Sequence, residues 1–143
     1  MAIWHFEIPL IPEGAPAPID TNEGMDCLAS WRGAVRPDWD AVSAGILPKG
    51  ASWSPEVDIW EDSDILQLYV LHGRGQMEYA SLRVDVRQRI GLKLDTLLAR
   101  IKAAGLMFAF CSSDICEPSR QELDEHLKRS LAFRRFNAGT ETL

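Results

Sequence analysis

The spacing of apolar and polar residues divides this chain into strand-like and helix-like segments. Apolar and polar side chains alternate over residues 3–11 and 78–87, which indicates strands with one buried face. Shorter and mostly apolar runs at residues 57–60, 65–71 and 106–111 also favour strands. Because residues 65–71 are apolar on both faces at all but one position, we expect this strand to lie centrally in a sheet.

The alternation over residues 78–87 also predicts which side chains face the core. One face carries apolar residues, namely Ala80, Leu82, Val84 and Val86. The opposite face, which we expect to be partly open, carries Tyr79, Ser81, Arg83, Asp85 and Arg87. A structural charge ladder explains the last three better than catalysis does, because a carboxylate between two arginines is a weak general base near neutral pH.

The period changes after this strand. Apolar residues three or four positions apart over residues 90–104 predict an amphipathic helix that ends at Gly105. Residues 118–134 show the same spacing and predict a second helix. A short helix is predicted over residues 38–44, since Pro37 suits the start of a helix.

The order of these elements predicts the fold class. We expect one α+β domain over residues 1–143, a two-layer sandwich of a mostly antiparallel sheet with two long C-terminal helices on one face. The strand–helix–strand segment over residues 78–111 should be a right-handed crossover if both strands share that sheet. Residues 12–30 and 48–55 are rich in turn-forming residues and are predicted loops. The longer loop is either functional or a disordered surface excursion.

Composition limits the class of protein. The chain has 143 residues, of which 46% are hydrophobic and 25% charged, as expected of a soluble domain. No apolar run approaches the roughly 20 residues of a membrane helix, and we expect no signal peptide. The three cysteines are an odd number without disulfide-framework spacing, so we expect reduced thiols and a cytoplasmic location.

Charge is divided unevenly between the two halves of the chain. Residues 1–64 contain 12 acidic and 3 basic side chains, whereas residues 65–143 contain 9 acidic and 12 basic ones. All five tryptophans lie in the acidic part. This pattern favours a partner with a basic surface, and a pI near 5.0 argues against nucleic acid. We expect no membrane partner, and self-association into a homodimer is compatible with the sequence.

An acidic run with one tryptophan supplies the candidate contact residues. A calcium loop would need an obligatory glycine, which this run lacks. The run is then either a solvated hairpin, with a polar turn at residues 61–64, or an anionic patch for a basic partner. An exposed indole beside carboxylates is typical of an interface. The predicted partner-binding residues are Trp60, Glu56, Asp58, Glu61, Asp62 and Asp64, with Trp31 and Trp39 as secondary candidates.

Other constellations give weak chemical signals. Cys111, Cys116 and His126 lack the spacing and the fourth ligand of a structural zinc site, and a Cys–His nucleophile would also need an orienting third group. The glycines of residues 72–75 are better explained by a hairpin turn than by anion binding, because a strand follows them. We therefore expect no catalytic residue, metal or cofactor.

The stretch over about residues 57–136 resembles a group of small bacterial proteins. Its pattern is a charged strand, an amphipathic helix, an apolar strand and a final helix. The residues that carry it are Leu82-Arg83-Val84-Asp85-Val86-Arg87, Gly105-Leu106-Met107-Phe108, Glu117-Pro118, Leu123, Leu127, Ser130, Ala132 and Phe136. In these features the chain is similar to immunity proteins of contact-dependent and type VI secretion systems. The resemblance implies a protein that neutralises a cognate toxin by binding and occlusion.

Two other functions remain open from the sequence. The first is a small ligand-binding domain or enzyme, whose pocket would lie on the open sheet face near Tyr79, Arg83, Asp85 and Arg87. The second is an effector chaperone or adaptor, for which an exposed apolar patch or a self-complementary face would be the indication.

Overall fold

The computed structural model describes residues 5–62, 66–73, 76–85 and 91–130. Within these ranges the chain forms eight strands and four helices, and the fold is α+β as predicted. The strands are β1 (His5–Pro12), β2 (Ile19–Thr21), β3 (Gly24–Asp26), β4 (Val57–Asp62), β5 (Leu66–Gly73), β6 (Gln76–Asp85), β7 (Leu106–Cys111) and β8 (Asp114–Cys116). The helices are α1 (Leu28–Trp31), α2 (Trp39–Ser43), α3 (Gly91–Ala103) and α4 (Arg120–Arg129).

The main sheet has six strands in the order β4-β5-β6-β1-β7-β8, and all neighbouring strands are antiparallel. Strand β1 lies between β6 and β7. Its first half pairs with β6 from His5 to Pro9, and its end pairs with β7 from Leu10 to Pro12. The segment β6–α3–β7 therefore crosses over β1, which confirms that its two strands share one sheet.

Strand register assigns the side chains to two faces of the sheet, because paired residues on adjacent strands point to the same side. Leu68, Leu82 and Ile8 form one such row across β5, β6 and β1, and all three are fully buried. Ala80 and Val84 are buried with them, as the sequence predicts; Val86 lies outside the described residues.

Both C-terminal helices contribute buried side chains to the hydrophobic core. Helix α3 buries Leu94, Leu97, Leu98 and Ile101, which is the predicted apolar stripe. It is followed by Gly105 at φ 77°, a left-handed conformation that glycine adopts without strain. Ser119 is the N-cap of helix α4, and its side chain accepts a hydrogen bond from the backbone of Glu122.

The structure confirms the α+β class and the large antiparallel sheet, but it does not clearly show the two long C-terminal helices that were predicted. Among the described helices, only α3 and α4 have seven or more residues, with 13 and 10 respectively. The short predicted helix after Pro37 is confirmed as α2, which Asp38 caps by accepting a hydrogen bond from the backbone of Ala41. None of the described helices has the length and apolar character needed to cross a membrane.

The prediction of one long loop over residues 12–30 is wrong. This segment contains the β2–β3 hairpin and helix α1. The hairpin turn is closed by the Thr21 hydroxyl, which donates to the carbonyl of Gly24 and accepts from the backbone of Glu23. Asp26 then accepts a hydrogen bond from the backbone of Leu28 at the start of α1. Short polar elements of this kind have too few residues to show a period.

Strand β4 forms one edge of the sheet, and a loop segment lies along its outer side. The backbone of Gly50 donates to the carbonyl of Ile59, and that of Glu61 donates to the carbonyl of Pro48. These bonds satisfy part of the strand edge, which would otherwise offer unpaired backbone groups. Glu61 and Asp62 continue the strand, so the polar turn predicted at residues 61–64 is wrong for these two residues; Asp64 lies outside the described ranges.

Candidate functional site

The three tryptophans predicted as contact residues lie in the hydrophobic core. Trp31, Trp39 and Trp60 are 0%, 2% and 3% exposed. The indole of Trp31 donates to the carbonyl of Leu10 over 3.1 Å and lies 6.2 Å from that of Trp39. Trp60 donates to the carboxylate of Asp40 over 3.2 Å. The prediction that these rings form an exposed contact surface is wrong, because all three are buried in the hydrophobic core.

A different tryptophan is exposed. Trp53 is 77% exposed in the loop that precedes β4. The neighbouring Ser52 hydroxyl accepts a hydrogen bond from the backbone N–H of Ser54 and donates one to the carbonyl of Ser54. These bonds close a tight turn around Trp53. Sequence reasoning did not select Trp53 as a contact residue. The available signal was its position among turn-forming residues, where no strand or helix face could bury the ring.

Asp58 of β4 lies at the centre of an ion cluster, which we call the Asp58 cluster. Its carboxylate is 3.3 Å from Arg36, 3.4 Å from Lys49 and 2.9 Å from Nε2 of His72. Burial opposes ionisation of Asp58, but the hydrogen bond with His72 and the charge of Lys49 outweigh it, so the pKa of Asp58 lies below its ordinary value of 3.8. The cluster connects three separate segments to one edge strand, which is a structural role.

A small cavity of about 210 Å³ adjoins the Asp58 cluster. Both signs of charge line it, because Arg36 and Lys49 are present together with Asp38, Asp40 and Asp58. Lys49 also lies 5.5 Å from the centre of the Trp60 ring, a cation–π contact. Two cations lie among these three carboxylates, and both form ion pairs with Asp58, so most of the negative charge of this lining is compensated within the fold.

The remaining predicted carboxylates behave in different ways. Glu61 accepts a hydrogen bond from Gln67 over 3.0 Å, and Asp62 forms an ion pair with Lys93 at 2.7 Å. Glu56 is exposed, and among the described residues its side chain has no ion pair. The acidic run is therefore neither a uniform anionic patch nor a freely solvated hairpin, since most of its described members have partners within the fold.

The sheet face opposite the row of Leu68, Leu82 and Ile8 carries a second polar network, and its residues Ser81 and Asp85 are buried, so this face is less open than predicted. Glu7 of β1 accepts hydrogen bonds from Tyr79 over 3.0 Å and Ser81 over 3.4 Å, and forms an ion pair with Arg83 at 3.0 Å. Burial and then the charge of Glu7 raise the pKa of Tyr79 far above its ordinary value of 10.0. Arg83 thus pairs across strands with Glu7. Of its predicted ladder partners, Asp85 is 2% exposed and Arg87 lies outside the described residues.

A cavity lies between this face and the β2–β3 hairpin, and we call it the hairpin cavity. Its volume is about 330 Å³. The sheet contributes Glu7, Pro9, Tyr79 and Phe110, and the hairpin contributes Asp20, Thr21, Gly24 and Met25. The carboxylate of Asp20 fastens the hairpin to the β7–β8 turn by accepting hydrogen bonds from the backbone and hydroxyl of Ser112, at 3.1 and 2.6 Å. Of the residues predicted around a pocket on this sheet face, Tyr79 lines the hairpin cavity, Arg83 and Asp85 do not, and Arg87 lies outside the described residues.

The residues considered for zinc or nucleophilic chemistry form a packed polar cluster instead. The imidazole of His126 stacks on Phe110 with ring centres 3.5 Å apart, and its Nε2 lies 2.6 Å from the carboxylate of Asp114. Burial, together with the charges of Glu122 and Asp114, raises the pKa of the Cys116 thiol to about 12. A thiol with this pKa is protonated near neutral pH and is a poor nucleophile.

The described ranges hold no group of three or more histidine, cysteine or acidic residues able to bind a metal ion. Two regions combine charged side chains with a cavity, namely the Asp58 cluster and the hairpin cavity. No protein-family model, curated protein or solved structure matches this chain.

Proposed function

We propose that this chain is an immunity protein that binds a cognate bacterial toxin in the cytoplasm and neutralises it by occlusion. The observation that carries the proposal is Trp53, an indole that is 77% exposed and lies three residues from the exposed carboxylate of Glu56. Tryptophan is enriched among the residues that dominate protein–protein binding, because the ring offers a large contact area. Exposing it to water without a partner has no benefit for the fold.

The distribution of charge supports a basic partner. Several carboxylates of the acidic half are exposed, namely those of Glu13, Asp20, Glu23, Asp26, Asp38, Asp40 and Glu56. Negative charge spread over this surface attracts a positively charged protein and accelerates encounter. A toxin that cleaves nucleic acid has a basic substrate cleft, so occlusion of such a cleft matches the charge of this chain. Neutralisation by occlusion requires tight binding and no catalytic residue.

The test is co-expression with the product of the gene that lies beside the gene for this chain, as the toxin to be neutralised. The chain should restore growth to cells that make the toxin, and the two purified proteins should form a stable complex. Trp53→Ala should weaken this complex by about 30-fold, the size expected for an interface hot spot. Leu92→Ala is the matched control, because Leu92 is 82% exposed on α3 and far from Trp53 in sequence.

Three results would contradict the proposal. The first is growth inhibition that the chain does not relieve, and the second is the absence of a complex between the purified proteins. The third is equal affinity of the Trp53→Ala and Leu92→Ala variants, which would remove the exposed indole from the interface. Charge reversal at Glu56 should slow association at low salt and have little effect at high salt, because steering is screened by ions.

A second candidate function is a small ligand-binding domain. The observation in its favour is the hairpin cavity, where Glu7, Asp20 and Tyr79 line a space of about 330 Å³. Polar groups that converge on a concave site are typical of ligand pockets. Heat stabilisation of the purified chain by a small molecule, lost when the cavity lining is changed, would favour this function over the first.

A further inference from the structure

We propose that the hairpin cavity binds the cationic head group of a lysine or arginine side chain. The inference rests on the proposed function, since the partner toxin supplies this side chain. The hairpin cavity would then recognise one cationic side chain on the surface of the toxin.

The lining of the cavity has the chemistry of a cation site. Tyr79 and Phe110 contribute to the lining, although one face of the Phe110 ring is stacked on His126, and the acidic residues Glu7 and Asp20 contribute from the sheet and from the hairpin. Ammonium and guanidinium groups are attracted both by carboxylates and by the faces of aromatic rings. Met25 adds a flexible apolar surface against which the methylene stem of a long side chain can pack.

The size of the cavity fits such an occupant. One water molecule takes about 30 Å³ of liquid volume, and the cavity measures about 330 Å³. A single long side chain therefore enters it, whereas a folded element of a partner does not. A side chain that projects from the toxin surface would enter the cavity between the β2–β3 hairpin and the sheet face that carries Glu7 and Tyr79.

The charge balance inside the cavity decides the sign of the ligand. Glu7 is compensated by Arg83 at 3.0 Å. Asp20 receives hydrogen bonds only from neutral groups of Ser112, and among the described residues no cation lies within ion-pair distance of it. Among the described residues, Asp20 is thus a lining carboxylate without a cation, and a cation entering the cavity gains an ion pair that these residues do not provide.

The first experiment uses small probes on the full chain. Nα-acetyl-lysine methylamide and Nα-acetyl-arginine methylamide are titrated against the ¹⁵N-labelled protein by NMR, with Nα-acetyl-norleucine methylamide as the uncharged probe. The cationic probes should shift the amide signals of the β2–β3 hairpin, of Glu7 and of Tyr79, and the uncharged probe should not. Equal shifts with all three probes, or no shift in these signals, would overturn the proposal.

Three variants separate charge from architecture. Asp20→Asn keeps the shape of the side chain and should weaken binding of the cationic probes about tenfold. Glu23→Gln removes a charge from the turn of the same hairpin but outside the cavity lining, and should leave affinity within about twofold. Ser112→Ala removes one donor to Asp20 but keeps the carboxylate, so affinity should also stay within about twofold. Equal losses in Asp20→Asn and Ser112→Ala would show that hairpin anchoring, not charge, explains binding.

The toxin complex identifies the source of the cation. Asp20→Asn should weaken this complex about tenfold, with Glu23→Gln as control. If the variant binds toxin at full strength while losing the cationic probes, the partner side chain is excluded as occupant, free amines become the ligand, and the proposed function stands. If the chain binds the probes through Asp20 but binds no toxin, the proposed function fails and the cation chemistry of the cavity remains.

Discussion

The Asp58 cluster and the hairpin cavity both contain carboxylates, but the fold treats them in opposite ways. Asp58 is 20% exposed at its side chain and contacts Arg36, Lys49 and His72. Within the described ranges, the carboxylate of Asp20 accepts hydrogen bonds from the hydroxyl and backbone of Ser112 and has no ion pair, and Asp20 borders a cavity. A sequence rich in acidic residues therefore does not by itself define an anionic surface. Some carboxylates form ion pairs with cationic side chains of the folded chain, and the carboxylates without such an ion pair are the ones available to a partner.

The same contrast holds for the aromatic rings. Trp60 of β4 is covered by the segment around Lys49, which adds a short strand-like pairing to the sheet edge. Trp53 lies in the loop that precedes β4, before Trp60 in the sequence, and its ring is exposed to water. Indole rings close in sequence thus have different roles, one structural and one available for recognition. Mutations at the two kinds of position should therefore affect different properties of the protein.

The largest expected effect is on stability and concerns the buried rings. Trp31→Ala should lower the free energy of unfolding by about 3–5 kcal/mol, because it empties core volume and removes the hydrogen bond to the carbonyl of Leu10. Trp53→Ala should change it by less than about 0.5 kcal/mol, as is usual for an exposed position. Urea denaturation followed by circular dichroism measures both values. Similar losses in the two variants would show that Trp53 is packed in solution and would end its role as an exposed contact.

A smaller effect is expected when the Asp58 cluster is disrupted. Asp58→Asn should cost about 1 kcal/mol near neutral pH, because partly exposed ion pairs are screened by water. The pKa of Asp58 is lowered in the folded chain, so its stabilising contribution is complete at pH values above 3.8 and is lost as the pH falls through the lowered value. Stability curves of the variant and the parent chain should therefore converge in acid. A difference that persists at the lowest pH would mean that shape rather than charge explains the loss.

Asp20→Asn is the matched comparison for that experiment. Asp20 has no cation to stabilise among the described residues, so its replacement should change stability less than the replacement of Asp58 does. If both substitutions lower the free energy of unfolding by the same amount, the Asp58 and Asp20 carboxylates do not differ in charge compensation as their contacts indicate. In that case the uncompensated charge of Asp20 would lose its main support.

Sequence patterns were sufficient for the elements with many apolar residues. Strand β6 and helix α3 are long enough to show a period, so their presence and their apolar buried residues follow from the sequence, although β6 begins at Gln76 and not at residue 78. The hairpin β2–β3 was missed because its six strand residues are held by a turn and by Asp20, not by an apolar face. Local spacing has no information on such contacts.

The candidate sites were harder to predict for the same reason. Arg36, Lys49 and His72 are distant from Asp58 in sequence, and only the folded sheet brings them to its carboxylate. Glu7 and Tyr79 are 72 residues apart in the sequence, and the pairing of β1 with β6 brings them together. The sequence did place Tyr79, Ser81 and Arg83 on one face, because strand alternation is a local rule. Their common partner, Glu7, is a long-range contact that alternation cannot supply.

The smallest expected effect tests the polar network beneath the hairpin. Burial and the charge of Glu7 raise the pKa of both tyrosines, Tyr69 and Tyr79, and the increase for Tyr79 is the larger. Spectrophotometric titration of the folded chain should therefore show phenolate absorbance appearing above the ordinary value of 10.0, with Tyr79 ionising last or only on unfolding. Tyr79→Phe should remove the later step and leave the earlier one. Two tyrosines ionising together near their ordinary pKa would mean that Glu7 does not hold Tyr79 beside the hairpin cavity, and the wall proposed for cation binding would be wrongly placed.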